Sequence, residues 1–156
     1  MYKNILAALD IEDQENSKSA LKQALFLAKT SGATLHLLYV RHHLPHSYSE
    51  LLSTDFDADE RQESLDALAR FRTGLDLDPD RITISTERGP VSYVVLEHAD
   101  KWDADLIVIG SHTPSVTSKL FGSNASSIVH KSKVGVLIVR AGEKSDTVLN
   151  IDSSGH

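Results

Sequence analysis

The chain has no cysteine, which excludes disulfides, thiolate nucleophiles and thiolate metal ligands. That absence favours a reducing compartment. It also lacks any apolar run near the ~20 residues of a membrane span. The first apolar segment is interrupted by Lys3, Asn4 and Asp10, so no signal peptide is expected and the expected address is the cytoplasm. A basic face is missing too. The net charge is −6 with histidines neutral, and acidic residues gather at Glu12–Glu15 and Asp55–Asp66. Binding to nucleic acid needs a cationic footprint, so it is not expected, and neither is membrane binding. No Gly-x-Gly-x-x-Gly occurs, which disfavours a dinucleotide cofactor.

The chain's 156 residues suit one domain with one core. Five short apolar runs rich in β-branched residues read as strands: Lys3–Leu9, Thr34–Val40, Arg81–Glu87, Asp105–Ile109 and Gly135–Val139. Helical periodicity fills the gaps. It is carried by Leu21, Ala24, Leu25 and Ala28, then Leu65, Leu68 and Ala69, then Val91, Val94, Val95 and Trp102, then Ala125, Ile128 and Val129. Gly32 suits a helix stop, and Gly89-Pro90 a start with Pro90 at the first helical position. Alternating strands and helices predict an α/β fold, a parallel sheet with helices on both faces. The polar third strand suits an exposed edge. The apolar fifth, at the other edge, would offer unpaired backbone to a second copy, although a central place or cover by the tail would also suit it. Arg41–Asp59 reads as a long loop before the second helix. Ala141–His156 reads as a loose polar tail after a domain of residues 1–140.

The strongest chemical signal runs from Gly110 to Ala125, GSHTPSVTSKLFGSNA. It is expected to leave the fourth strand and enter the last helix. Glycines permit close backbone approach, and a helix N-terminus offers free N–H groups and a favourable dipole to an anion. Ser123, Asn124 and the amides through Ala125 would then cradle phosphate. The competing reading is that Ser123 or Asn124 merely caps the helix. Asp10 ends the first strand, where ligands of open parallel sheets sit. It could receive a ribose hydroxyl or a metal-bound water, or simply start a turn. Lys119 reads as a solvated loop lysine more readily than a γ-phosphate contact, and His112 as either a ligand or a hydrogen-bonded loop histidine. His42, His43 and His46 lack a carboxylate or cysteine at repeating spacing, so no metal site is expected. His98 is expected to be packed, and Asp55–Asp66 to form a solvated helix start.

Across residues 1–140 the chain resembles the universal stress protein family. The resemblance is carried by YKNILAALD ending at Asp10, by Glu87-Arg-Gly-Pro90, by Ala104-Asp-Leu-Ile-Val-Ile-Gly-Ser-His112, by Gly122-Ser-Asn-Ala125 and by Val136-Leu-Ile-Val-Arg140. It implies a five-stranded parallel sheet of order 3-2-1-4-5 in a three-layer, Rossmann-like fold. It also implies homodimerisation through the fifth strand, Val134–Arg140, and binding of ATP or another adenine nucleotide with Mg²⁺. By position, Ala8, Leu9 and Asp10 would line the adenosine side, and Val40 would meet adenine through its backbone. Ile109, Gly110 and His112 would border ribose and phosphates, and Gly122, Ser123, Asn124 and Ala125 would hold the phosphates. The family pattern is Gly, two residues, Gly, nine residues, Gly, then Ser or Thr. Here Thr113 replaces the second Gly, only eight residues separate it from Gly122, and Pro114 follows it. Ala8 stands where the family often has proline. The altered loop is similar to that of an enterobacterial-type subgroup with Gly-Ser-Asn-Ala, associated with nucleotide binding.

The leading expectation is therefore an ATP-binding stress or regulatory protein. No general base is evident, so efficient catalysis is not expected. Slow hydrolysis or autophosphorylation at Ser111, Thr113, Ser123 or a nearby hydroxyl stays open, as does an unidentified regulatory partner. The alternative is a nucleotide-free dimeric interaction module of the same fold. A phosphorelay receiver would want Asp and Lys where Glu87 and Arg140 stand, and the acidic segment after Asp10 would repel a flavin phosphate.

Overall fold

The computed structural model describes residues 1–42, 54–111 and 118–140. Five parallel strands form one sheet of order β3-β2-β1-β4-β5, the order 3-2-1-4-5 that the resemblance implies. In chain order these are β1 (Asn4–Leu9), α1 (Gln14–Ser31), β2 (Thr34–Arg41), α2 (Thr54–Thr73), a 3-10 turn (Pro79–Arg81), β3 (Ile82–Arg88), α3 (Val91–Lys101), β4 (Leu106–Ser111), α4 (Ser118–Lys131) and β5 (Gly135–Arg140).

The strand alternation explains the two cores. Ile5, Ala7, Leu9, Leu35, Leu37, Tyr39, Leu106 and Val108 face one way, onto α1 and Leu68 of α2. Leu6, Leu38, Val40, Ile107 and Ile109 face the other way, onto Val94 and Val95 of α3 and Ile128 of α4. Burial on both faces is why the inner strands read as continuous apolar runs. Helix α1 lays Ala20, Leu21, Ala24 and Ala28 on the sheet, and its alanines let the backbone approach closely. The Asp13 carboxylate accepts from the Asn16 N–H at 3.2 Å as the N-cap. Gly32, at φ 75°, stops the helix in the left-handed conformation.

Two ties fasten the N-terminal ends of the strands. The Asp105 carboxylate accepts from the backbone N–H groups of Lys3 (2.7 Å) and Asn4 (3.2 Å), joining the starts of β1 and β4. The Arg81 guanidinium donates to the carbonyls of Ala28 (2.9 Å) and Ala33 (2.8 Å), joining the start of β3 to the end of α1.

Both sheet edges lie where the sequence puts them, β3 at one and β5 at the other. Three boundaries differ. Helix α2 begins at Thr54, so residues 54–59 are helical where a loop was expected, and residues 43–53 of that expected loop lie outside the described residues; Asp55 and Asp57 occupy the first turn of α2, where the helix dipole favours them. Pro90 is the N-cap of α3 rather than its first helical residue. Helix α4 begins at Ser118, not at Ala125. Lys119, Leu120 and Phe121 have no helix-breaking character, and Gly122 weakens a helix without ending it. His98 is packed as expected, 7% exposed. Its Nε2 pairs with the Glu87 carboxylate, and its ring meets Trp102 edge-on. Trp102 also stacks on His36, whose Nδ1 bonds the Thr83 hydroxyl. The 141–156 tail lies outside the described residues.

Candidate functional site

Strand order reverses at β1, whose neighbours are β2 and β4. The β1–β2 ladder ends at the pair Leu9–Tyr39, and the β1–β4 ladder ends at Ala8–Ile109. Both neighbours run on. Strand β2 continues through Val40 and Arg41, paired with Glu87 and Arg88 of β3. Strand β4 continues through Gly110 and Ser111, paired with Val139 and Arg140 of β5. A notch results, floored by the end of β1 and walled by Val40 on one side and Gly110 on the other. Ala8, Leu9, Asp10, Val40, Ile109 and Gly110, six residues singled out in the sequence, converge there.

The floor is a tied turn. The Ser17 hydroxyl accepts from the Asp10 N–H (2.9 Å) and donates to the Asp10 carbonyl (2.6 Å). One oxygen of the Asp10 carboxylate, Oδ1, accepts from the Glu12 N–H at 3.0 Å. Its other oxygen takes no hydrogen bond among the described residues, so a ligand hydroxyl or a metal-bound water suits it. Asp10, Glu12 and Asp13 lie on this turn and Glu15 in the first turn of α1, which makes the floor hostile to phosphate.

On the β4 wall, Gly110 makes room for the Asn16 side chain of α1. A Cβ there would lie 2.8 Å from Asn16 Oδ1 and 3.0 Å from Asn16 Nδ2. Asn16 is 5% exposed, and its Oδ1 is buried without a hydrogen-bond partner among the described residues.

On the β2 wall stands a cluster of charges. Arg41 is 5% exposed, and its Nη1 pairs with Asp57 Oδ1 at 3.0 Å. Arg88 Nη2 reaches the same Asp57 oxygen at 3.1 Å and also pairs with the Glu60 carboxylate. The hydrogen bond from Arg88, aided by the charge of Arg41, holds the Asp57 carboxyl below its ordinary range. Burial pushes the Tyr39 phenol up to about 12, and the carboxylates of Glu12, Asp10 and Glu60 add to it against the opposing pull of Arg41.

The remaining candidates distribute as follows. Gly122, Ser123, Asn124 and Ala125 sit in the second turn of α4, where backbone N–H groups are directed at carbonyls four residues back. They are therefore not at the free N-terminus that the sequence suggests. His112 and Thr113 lie outside the described residues, as do His43 and His46; His42 Nε2 is 3.8 Å from a Glu12 carboxylate oxygen. Among the described residues no group of three or more His, Cys, Asp or Glu is placed to hold a metal ion, and no helix is long and apolar enough to cross a membrane. Sequence reasoning missed Asn16, Tyr39, Arg41, Asp57, Glu60 and Arg88. The available signal was an arginine closing the apolar run TLHLLYVR.

A parallel sheet whose strand order reverses at β1 is a doubly wound α/β fold, the class in which ligands sit beyond the carboxyl ends of the strands at the switch point. The comparisons narrow it. The model of the universal stress protein family matches residues 1–140, and the chain belongs to that family. Universal stress protein G of Salmonella typhimurium is 42% identical over 147 residues, 90% of this chain and 100% of that protein. Universal stress protein A homolog 1 of Coxiella burnetii is 32% identical over 142 residues, 88% of this chain and 96% of that one. Of solved structures, universal stress protein UspA from Lactobacillus plantarum has a TM-score of 0.72 at 23% identity, covering 89% of this chain and 98% of that one. A universal stress protein in complex with cAMP has a TM-score of 0.64 at 23% identity, covering 90% and 98%.

Proposed function

We propose that this chain binds an adenine nucleotide, ATP with Mg²⁺ in the first place, in the notch beyond the end of β1, and acts in stress response or regulation. The observation that carries the reading is the notch itself, with a backbone edge on Val40 and a carboxylate oxygen on Asp10 that takes no hydrogen bond among the described residues. A family relative solved with cAMP supports it. The base would lie against Val40 and the ribose over Asp10 and Gly110. The acidic floor would turn the phosphates away from α1, toward the start of α4.

In the described structure the amides of Gly122–Ala125 are directed into α4. Their use by phosphate requires that helix to unwind through residue 122 on binding. Gly122 makes this cheap, since glycine within a helix costs about 1 kcal/mol relative to alanine. The family's nucleotide would need no general base from this chain for binding, and slow hydrolysis or autophosphorylation is a secondary expectation.

Mass spectrometry of small molecules released from the purified, denatured protein tests the reading, with an adenine nucleotide expected. Thermal denaturation with ATP and Mg²⁺ complements it: ligand 100-fold above its Kd adds about 2.7 kcal/mol of stability. No released nucleotide and no shift at millimolar ATP would favour the second reading, a dimeric interaction module. That reading draws on β5, which among the described residues pairs with β4 alone and leaves Ile138 42% exposed. Under either reading we propose a homodimer through β5. Light scattering should report a dimer for the native chain and a monomer for Ile138→Lys; an Ile138→Lys dimer would move the interface elsewhere.

A further inference from the structure

We propose that Arg41, Asp57, Arg88 and Glu60 form a positioning device that selects adenine by fixing the backbone of Val40. The proposal rests on the nucleotide reading above and deepens it by naming how the base is chosen.

The backbone around Val40 is held from behind, on the side of β3 and α2. The Thr86 hydroxyl donates to the Tyr39 carbonyl at 2.8 Å, and the Gly89 N–H donates to the Arg41 carbonyl at 3.3 Å. Arg88 Nη1 donates to the His42 carbonyl at 2.7 Å. Carbonyls two residues apart on a strand point the same way, and the one between them points the opposite way. With Tyr39 and Arg41 directed at β3, the Val40 carbonyl is directed at β1. The β1 ladder has already ended at Leu9–Tyr39, so that carbonyl faces the notch.

A carbonyl there is an acceptor. Adenine presents an exocyclic amino donor at C6, where guanine presents a second acceptor. Discrimination then depends on how firmly the carbonyl is held, because a mobile strand end would turn away from a mismatched base. Ladder hydrogen bonds alone hold a strand end weakly, and the cluster adds side-chain ties. Arg41 Nη1 donates to Asp57 Oδ1 (3.0 Å) and to the Asp57 carbonyl (3.4 Å). Arg88 Nε and Nη2 bond the same carboxylate at 3.2 and 3.1 Å, and Arg88 also pairs with Glu60. One carboxylate on α2 thus fastens the ends of both β2 and β3. Arg41 is buried, and its Nε has no hydrogen-bond partner among the described residues. Such a residue is costly to keep for stability alone, since a buried ion pair is often replaceable by apolar side chains without loss.

Calorimetric titration of the full chain with ATP, GTP and inorganic tripolyphosphate, native and as Arg41→Met and Asp57→Asn, tests the proposal. The native chain should prefer ATP to GTP. In both variants that preference should fall about two- to tenfold, the range that one hydrogen bond supplies, while tripolyphosphate affinity stays unchanged. Circular dichroism confirms folding, and Asp57→Asn, a change at a half-exposed carboxylate, carries the test if Arg41→Met fails to fold. A folded variant with an unchanged ATP-to-GTP ratio overturns the proposal, as does a parallel fall in tripolyphosphate affinity, which would signal general loosening. Equal native affinity for ATP and GTP overturns base selection yet leaves nucleotide binding standing. Failure of every nucleotide to bind the native chain overturns the functional reading, and this inference with it.

Discussion

The two walls of the notch are built from different materials. The β2 wall is held by charge: Asp57 fastens Arg41 and Arg88, and the carbonyls of Tyr39, Arg41 and His42 are all occupied from behind. The β4 wall is held by shape. Gly110 lets Asn16 of α1 press against it, and the helix that follows carries Gly122 in its second turn. A firm wall suits the part of a ligand read by hydrogen-bond pattern, and a wall leading into a weakened helix suits a group that is met by rearrangement. The contrast is between preorganisation and adaptability.

The contrast can be broken most forcefully at Gly110. Gly110→Val would drive a side chain into Asn16, and overpacking of this kind costs about 1–3 kcal/mol; urea denaturation should show it. An unchanged midpoint would mean that α1 gives way, and the β4 wall is then not shape-locked. The β2 wall should break more gently. Thr86→Val removes the hydroxyl that donates to the Tyr39 carbonyl while keeping the side chain's shape, and should cost about 1 kcal/mol by the same assay.

Gly122→Ala should sharpen the comparison by splitting two readouts. Stability should rise by up to about 1 kcal/mol, because alanine favours the helix, while ATP affinity falls, because α4 then resists unwinding through residue 122. Affinity that rises with stability would show that α4 binds as a preformed helix. The smallest effect concerns pH. The folded pKa of Asp57 lies below its unfolded value, so its contribution is full above about pH 4 and lost as pH falls through the folded pKa. The stability difference between the native chain and Asp57→Asn should therefore shrink on acidification below that point. Gly110, an uncharged residue, should show no such dependence: the difference between the native chain and Gly110→Val should stay level over the same range.

The sheet was legible because its cause is local. Period-two burial on both faces makes strands such as LIVI apolar throughout, and the polar ITISTER run marks an edge. The strand ends were also legible, since Asp10, Val40 and Gly110 each stand where an apolar run ends. The clamp was not, because it depends on partners brought together by folding: Arg41 reads as the first residue of a loop until α2 places Asp57 beside it. The start of α4 was misjudged for a related reason. Gly122 is a turn-former by type, but the residues before it propagate a helix, and one glycine does not stop propagation already under way. The contact between Gly110 and Asn16 was not legible either, since nothing near Gly110 in the sequence announces Asn16.

Asp105 sits at the opposite end of the sheet from all of this. By taking the backbone N–H groups of Lys3 and Asn4, it pins β1 to β4 at their foot, like the rivet of a pair of tongs. Whatever wedges between their tips can splay them, but cannot slide one along the other. Asp10 and Gly110, at the tips of β1 and β4, therefore keep one setting against each other that is fixed from the far end of the sheet.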